Sequence, residues 1–196
     1  MSTRAIVRGA GHYLPARVVE NAEFEKTLDT TDEWIQSRSG IERRHFATDT
    51  DTTSSMACAA AQNALKDAGL SPDDIDAVVV ATSTADLTFP SAATMVQAQL
   101  GMTRGFAFDV QAVCAGFVYA LANANALIVS GQAKRALVIG AETFSKIMDW
   151  SDRSTCVLFG DGAGAIVLEA AEGTGAATDR GILATDLNSD GRLREL

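Results

Sequence analysis

Asp109-Val110-Gln111-Ala112-Val113-Cys114-Ala115-Gly116-Phe117 is the stretch on which the reading of this chain turns. Just ahead of it, Phe106-Ala107-Phe108 predicts a short strand ending at Asp109. From Gly116 through Phe117, Val118, Tyr119, Ala120 and Leu121 to Ser130 the pattern is helical. A strand, a tight turn and an apolar helix in that order make one unit of an α/β fold. The same stretch predicts a thiol in the first turn of a helix. Unpaired backbone N–H groups and the positive end of the helix dipole face it there. They favour thiolate over thiol, which makes the sulfur a nucleophile. Packing is the other reading of this segment taken alone, because free cysteine is among the most buried residue types.

Further units follow in both directions. Arg4 to Gly9 predicts a first strand. Tyr13 to about Asp51 reads as irregular or short-helical and rich in charge, a long connection of the kind that is usually functional. Asp51 or Thr52 caps a helix that runs to Ala68 and closes at Gly69. Asp76 to Thr82 predicts a strand around the unbroken apolar run Ala77-Val78-Val79-Val80-Ala81. Ser91 caps a second helix, Ala92 to Leu100, ended by Gly101. After the Cys114 helix come strands at Arg135 to Ala141 and Ala163 to Glu169. Strands apolar on both faces, alternating with helices, predict a largely parallel sheet covered on both sides. The Cys114 helix, the least polar, is expected to be the central one.

The totals bound the function. At 196 residues the chain is long enough for one domain with a sizeable core. A net charge of −9 argues against nucleic acid as a partner. An acidic carrier protein would need a local basic patch, and the sequence offers no strong one. Cys58, Cys114 and Cys156 have no metal-type spacing and fit a reducing cytoplasm, with Cys58 and Cys156 expected in the core. His12 and His45 sit in no zinc-like cluster, so no metal is expected. No secretory leader is expected at the N-terminus. Asp109 to Lys134 encloses no charged residue, but it is built on seven alanines with few large apolar side chains. That predicts burial between protein layers rather than membrane insertion.

Asp-Val-x-x-x-Cys-Ala-Gly-Phe resembles the nucleophile motif of the β-ketoacyl-acyl-carrier-protein synthase III family, condensing enzymes of the thiolase superfamily. Three other stretches support the resemblance, in the family's order. Gly9-Ala10-Gly11-His12-Tyr13-Leu14-Pro15 is similar to its opening strand and turn. Thr31-Asp32-Glu33-Trp34-Ile35-Gln36-Ser37-Arg38-Ser39-Gly40-Ile41 resembles its coenzyme-A segment. Phe159-Gly160-Asp161-Gly162-Ala163-Gly164-Ala165 resembles its glycine-rich loop. That loop lacks the Lys-Ser/Thr of a phosphate-binding motif and precedes a strand, so it reads as tight packing.

The resemblance implies a thiolase-like fold, layered αβαβα in the complete enzyme, with this chain covering mainly the first half and a mixed, largely parallel sheet. Residues 1–170 would form the first half, and 171–196 would begin the second with a strand at Gly181 to Asp186. It implies that Cys114 takes an acyl group from acyl-coenzyme A, usually acetyl, and passes it to malonyl-acyl-carrier protein as carbon dioxide leaves, initiating fatty-acid biosynthesis. Trp34, Arg38 and Arg153 would contact the adenine and phosphates of coenzyme A; an indole and a guanidinium can sandwich a purine. Phe89 would reach across a homodimer to line the partner's acyl pocket, and Phe159 would line the same pocket. The family's catalytic His and Asn belong to the second half, and neither His12 nor His45 matches that His. The chain is therefore expected to be part of a longer cytoplasmic acyltransferase with no permanently bound cofactor, inactive in condensation and prone to associate by itself. Two alternatives stand. One is a related acyltransferase, such as a 3-hydroxy-3-methylglutaryl or secondary-metabolite synthase. The other is a non-catalytic α/β binding or dimerisation module with a structural cysteine.

Overall fold

The computed structural model describes residues 2–193. Its elements are β1 (Ser2–Tyr13), β2 (Arg17–Glu20), α1 (Asn21–Phe24), α2 (Asp32–Ser39), β3 (Arg43–Phe46), α3 (Thr53–Ala68), β4 (Ala77–Ala81), α4 (Ala92–Gln99), β5 (Phe106–Val110), α5 (Gly116–Val129), β6 (Arg135–Thr143) and β7 (Asp161–Gly173). Five strands form one mixed sheet in the order β1-β7-β6-β4-β5. β4 runs parallel to β5 and β6, because α4 and α5 carry the chain back between those strands. β7 pairs antiparallel with both β6 and β1.

The unbroken Ala77–Ala81 run is explained by burial on both sides. Val78 and Val80 face α3 with Met56, Ala60, Ala64, Leu137 and Ile139. Ala77 and Val79 face α5 with Ala120, Ala124, Val138 and Leu168. Alternate residues serve opposite cores, so no position is left for a polar side chain. The α3 side is packed to backbone contact. A Cβ on Gly9 would lie 2.5 Å from the Ala68 nitrogen, so only glycine lets β1 approach the alanine ridge of the helix.

Between Tyr13 and Asp51 the chain is more ordered than its composition predicts. β2 and β3 pair antiparallel, with Val19 opposite Arg44. Together with α1 and α2 they enclose a small core of Val19, Phe24, Ile35, Phe46, Cys156 and Val157. Arg44 is buried within this lobe. Its guanidinium donates to the Val19 and Val157 carbonyls and stacks on Phe24, 4.7 Å from the ring centroid.

α5 packs one flank on the sheet, and Val118 and Val129 on its other flank are about half exposed among the described residues. One expectation is corrected. No strand forms from Gly181 to Asp186. Gly181 has φ +110°, outside the range of a strand, and the segment holds the edge of the sheet by Ile182 N–H donating to the Ala5 carbonyl at 2.9 Å. The last residues assigned to that expected second half, 194–196, lie outside the described residues.

Candidate active site

The site is built where β5 hands over to α5. At the end of β5, the Asp109 carboxylate accepts from Ala92 N–H at 2.8 Å and Ala93 N–H at 2.7 Å, which anchors the start of α4. The chain then turns sharply. Val113 has φ +48°, the left-handed region that a β-branched residue rarely enters. Residues Val113–Ala115 make one tight turn, and α5 begins at Gly116. Cys114 thus sits one turn earlier than the spacing predicts, in the lead-in to the helix, and its side chain is exposed. A Cβ on Gly116 would touch the Ala81 Cβ at 3.3 Å, so glycine there lets the turn settle on the end of β4.

No side chain caps α5, because Ala115 occupies the N-cap. The preceding turn supplies backbone acceptors instead: Ala115 N–H donates to the Ala112 carbonyl at 3.1 Å and Gly116 N–H to the Val113 carbonyl, and the positive end of the helix dipole lies beside the thiol. Cys58 and Cys156 are buried, and burial pushes both thiols up. Cys114 is the exposed cysteine of the three.

Cys114 opens onto a largely apolar cavity of about 440 Å³, walled by Leu14, Phe117, Phe144 and Phe159, with Gly140 and Gly164 also on its surface. Phe144 and Phe159 stack at 4.8 Å between ring centroids. The glycine-rich segment is packed as expected at Gly160 and Gly162 but not at Gly164, which is exposed and where a Cβ would meet nothing within 4 Å. A Cβ on Gly160 would lie 3.0 Å from the Arg44 Cβ, and one on Gly162 would lie 3.1 Å from Leu14. Between those glycines the buried Asp161 accepts from Ala47 N–H at 2.7 Å and Ser145 N–H at 2.8 Å, tying β3 and the Phe144 turn to the start of β7.

Glu142, Leu14, Phe117 and Phe144 line this cavity and were not singled out from the sequence. The Glu142 carboxylate accepts from Ser83 N–H at 2.9 Å and from the Thr84 hydroxyl. Thr84 in turn accepts from Thr143 N–H at 2.8 Å, so one network fixes the exits of β4 and β6 together. The available signal was an acid directly after the apolar run of β6, where burial demands partners.

Trp34, Arg38 and Arg153 come together at a second place, on the lobe built by β2, β3 and α2. The Arg38 guanidinium carbon lies 4.7 Å from the Trp34 ring centroid, and that of Arg153 lies 5.2 Å away. Arg153 is held there by the Asp29 carbonyl and carboxylate. Phe89 is 82% exposed in the loop between β4 and α4 and does not reach the cavity of its own chain. Neither histidine lines the cavity; His45 Nδ1 is 2.6 Å from the Pro15 carbonyl. Among the described residues there is no cluster able to hold a metal ion, and no helix is long and apolar enough to cross a membrane.

Comparison with known proteins agrees with this geometry. Residues 108–191 match the family described as 3-oxoacyl-acyl-carrier-protein (ACP) synthase III. A β-ketoacyl-acyl-carrier-protein synthase III from a Ruegeria species is 79% identical over all 196 residues, and one from Dinoroseobacter shibae is 72% identical. This chain spans 61% of the Ruegeria protein's length and 60% of that from Dinoroseobacter. The crystal structure of 3-oxoacyl-(acyl carrier protein) synthase III from Pseudomonas aeruginosa superposes with a TM-score of 0.91 at 46% identity, covering 98% of this chain and 59% of that one. The corresponding structure from Aquifex aeolicus has a TM-score of 0.84 at 50% identity, over 86% and 55%. The described residues thus have the thiolase-like α/β architecture of these enzymes.

Proposed function

We propose that this chain, a member of the β-ketoacyl-acyl-carrier-protein synthase III family spanning about 61% of its relatives' length, supplies the acyl-accepting thiol of a condensing enzyme that starts fatty-acid chains. The observation that carries the proposal is Cys114: exposed, set at an uncapped helix start behind a strained turn, and open to an apolar cavity. The Cys114 thiolate attacks the carbonyl carbon of acyl-coenzyme A. The carbon–sulfur bond to coenzyme A breaks, coenzyme A leaves as a thiolate that takes up a proton, and the acyl group remains as a thioester on Cys114. The acyl chain enters the cavity between Phe117, Phe144 and Phe159. Malonyl-acyl-carrier protein then loses carbon dioxide, and its carbanion displaces the Cys114 thiolate to give the β-ketoacyl product. Negative charge builds on the thioester oxygen in this step, so it needs fixed hydrogen-bond donors. In the family's pattern these are a His and an Asn from the second half of the enzyme.

The Trp34 indole with Arg38 and Arg153 forms the seat for the adenine and phosphates of coenzyme A. Phe89, standing clear of its own cavity, completes the acyl pocket of a partner in a homodimer. Residues 1–170 act as the first thiolase-like half and 171–196 lead into the second. The complete enzyme works in the cytoplasm without a bound metal or permanent cofactor. The test is to incubate the complete protein with acetyl-coenzyme A and map the adduct by mass spectrometry. Acetyl should appear on Cys114 and not on Cys58 or Cys156. Labelling without preference among the three would overturn the assignment and favour the structural-module reading.

A further inference from the structure

The Cys114 cavity lies against β6 and β7 of the five-stranded sheet, whereas Trp34, Arg38 and Arg153 meet on the lobe. An acyl-coenzyme A with its nucleotide at the second place and its thioester at the first spans both. It is aligned for attack only if the lobe keeps a fixed place relative to the sheet. The lobe meets the sheet where β3 rests on the start of β7. Val157, in the chain leading to β7, belongs to the lobe core, and its carbonyl accepts from the Arg44 guanidinium at 2.9 Å. Further on, a Cβ at Gly160 would lie 3.0 Å from the Arg44 Cβ and 3.2 Å from the His45 carbonyl oxygen.

Asp161 stands at that junction and is buried. Burying a carboxylate is costly unless its oxygens find donors, and those of Asp161 find three. Oδ2 accepts from Ala47 N–H at 2.7 Å, just past the end of β3, and from the Ser145 hydroxyl. Oδ1 accepts from Ser145 N–H at 2.8 Å. A single oxygen thus joins the lobe to the turn Phe144–Lys146. Phe144 in that turn stacks on Phe159 in the cavity wall. On the lobe side, Phe46 precedes Ala47 and shares the lobe core with Ile35, the residue after Trp34. The isosteric amide could not make the same junction. It keeps one acceptor oxygen and turns its NH2 group toward the Ala47 or the Ser145 N–H.

We propose that Asp161 is a positioning residue, which holds the lobe at the distance from the cavity that sets the donor's thioester on Cys114. This rests on the reading that Trp34 and Arg153 seat the nucleotide and that Cys114 takes the acyl group. Asp161 does not itself line the cavity; it acts through Ala47 and the Phe144 turn. With this junction loosened, binding of the nucleotide no longer helps the reacting end. Remote binding energy speeds a reaction only when it is delivered as correct placement.

The experiment compares two donors of the same thioester: acetyl-coenzyme A, and acetyl-pantetheine, which lacks the nucleotide. Second-order rates of acetyl-Cys114 formation are measured by intact mass in the complete protein for the wild type, Asp161→Asn, Ser145→Ala and Trp34→Ala. Asp161→Asn should lower the ratio of the acetyl-coenzyme A rate to the acetyl-pantetheine rate by about ten-fold, within the range that slight misplacement costs, and leave the acetyl-pantetheine rate within about two-fold. Ser145→Ala removes only the hydroxyl's bond and should lower the ratio by a smaller factor. It keeps the test alive should Asp161→Asn fail to fold. A ratio unchanged in the variants that fold overturns the proposal. So does an equal fall with both donors, the mark of a role in stability alone. Trp34→Ala tests the underlying reading separately: a ratio that it leaves unchanged would show that the lobe does not seat the nucleotide, and would sink that reading itself.

Discussion

α3 and α5 lie on opposite faces of the same sheet and begin in opposite ways. α3 opens on Thr52, whose side chain accepts from Ser55 N–H at 3.2 Å while the Ser55 hydroxyl accepts from Thr52 N–H at 2.9 Å. α4 is capped by Ser91 and by Asp109, and α2 by Thr31. α5 has alanine at its N-cap, no capping side chain, and a valine in left-handed conformation two residues ahead of that cap. Both α3 and α5 bury one face in apolar cores, so packing does not account for the difference. Capping consumes the N–H groups at a helix start, whereas leaving them free makes them available to an anion. Of α2, α3, α4 and α5, the helix that follows the exposed thiol is the one that starts without a capping side chain; the four-residue α1 also has none.

Several substitutions would break or sharpen that contrast. Cys114→Ser in the complete enzyme should cut condensation by about a thousandfold or more, the scale of removing a nucleophile, because a hydroxyl lacks comparable thiolate character. Undiminished turnover, followed as β-ketoacyl product, would remove the functional half of the comparison. A milder chemical version uses the cysteines themselves. At neutral pH a maleimide should modify Cys114 at least about ten times faster than Cys58 or Cys156, whose raised pKa leaves less thiolate and whose burial blocks access. Peptide mapping over time reads this directly, and equal rates would contradict it.

Trp34→Ala probes a helix start that is capped and that also lies in the proposed coenzyme-A seat. It should weaken acyl-coenzyme A binding by about 1–2 kcal/mol, the scale of lost stacking and cation–π contact, and leave the chemical step nearly intact. A lowered turnover at unchanged Michaelis constant would argue for another role. Thr52→Ala should cost about 1 kcal/mol of stability in chemical denaturation by removing a cap, with the rate of acyl-Cys114 formation preserved. Val113→Gly should do the reverse on a smaller scale. It relieves a strained φ worth about 1 kcal/mol, partly offset by the entropy glycine loses on folding, and slows acylation by loosening the turn that holds the thiol. Loss of acylation in Thr52→Ala with none in Val113→Gly would invert the comparison.

Much of the fold was legible because its signals are local. Thr52 and Gly69 bracket α3, Ser91 opens α4, and the apolar run around Val79 marks β4, each set by neighbours in sequence. The hairpin of β2 and β3 was not legible. Its residues Arg17–Glu20 and Arg43–Phe46 are charged and short, and they become strands by pairing across the two intervening helices α1 and α2 and by packing on Val157, which is distant in sequence. The strand expected at Gly181 failed for the opposite reason. Ile182-Leu183-Ala184 has strand-like composition, but Gly181 and a single backbone bond to β1 leave it without a ladder.

The candidate site divides along the same line. Cys114 stands out in the sequence because strand and turn residues lie beside it, whereas the Trp34 segment stands out only through its resemblance to the family's coenzyme-A segment. The sequence by itself determined the α/β alternation, the helix limits and the thiol at a strand-to-helix turn, since these depend on residues within a few positions of one another. Tertiary structure alone decided that Phe144 stacks on Phe159, that Arg153 meets Trp34, and that Glu142 locks the exits of β4 and β6. It also decided that the glycine at 164 is exposed while its partner at 140 faces a ring. Those outcomes depend on sheet register and on which face each alternate residue takes, and a shift of one residue would exchange the two faces.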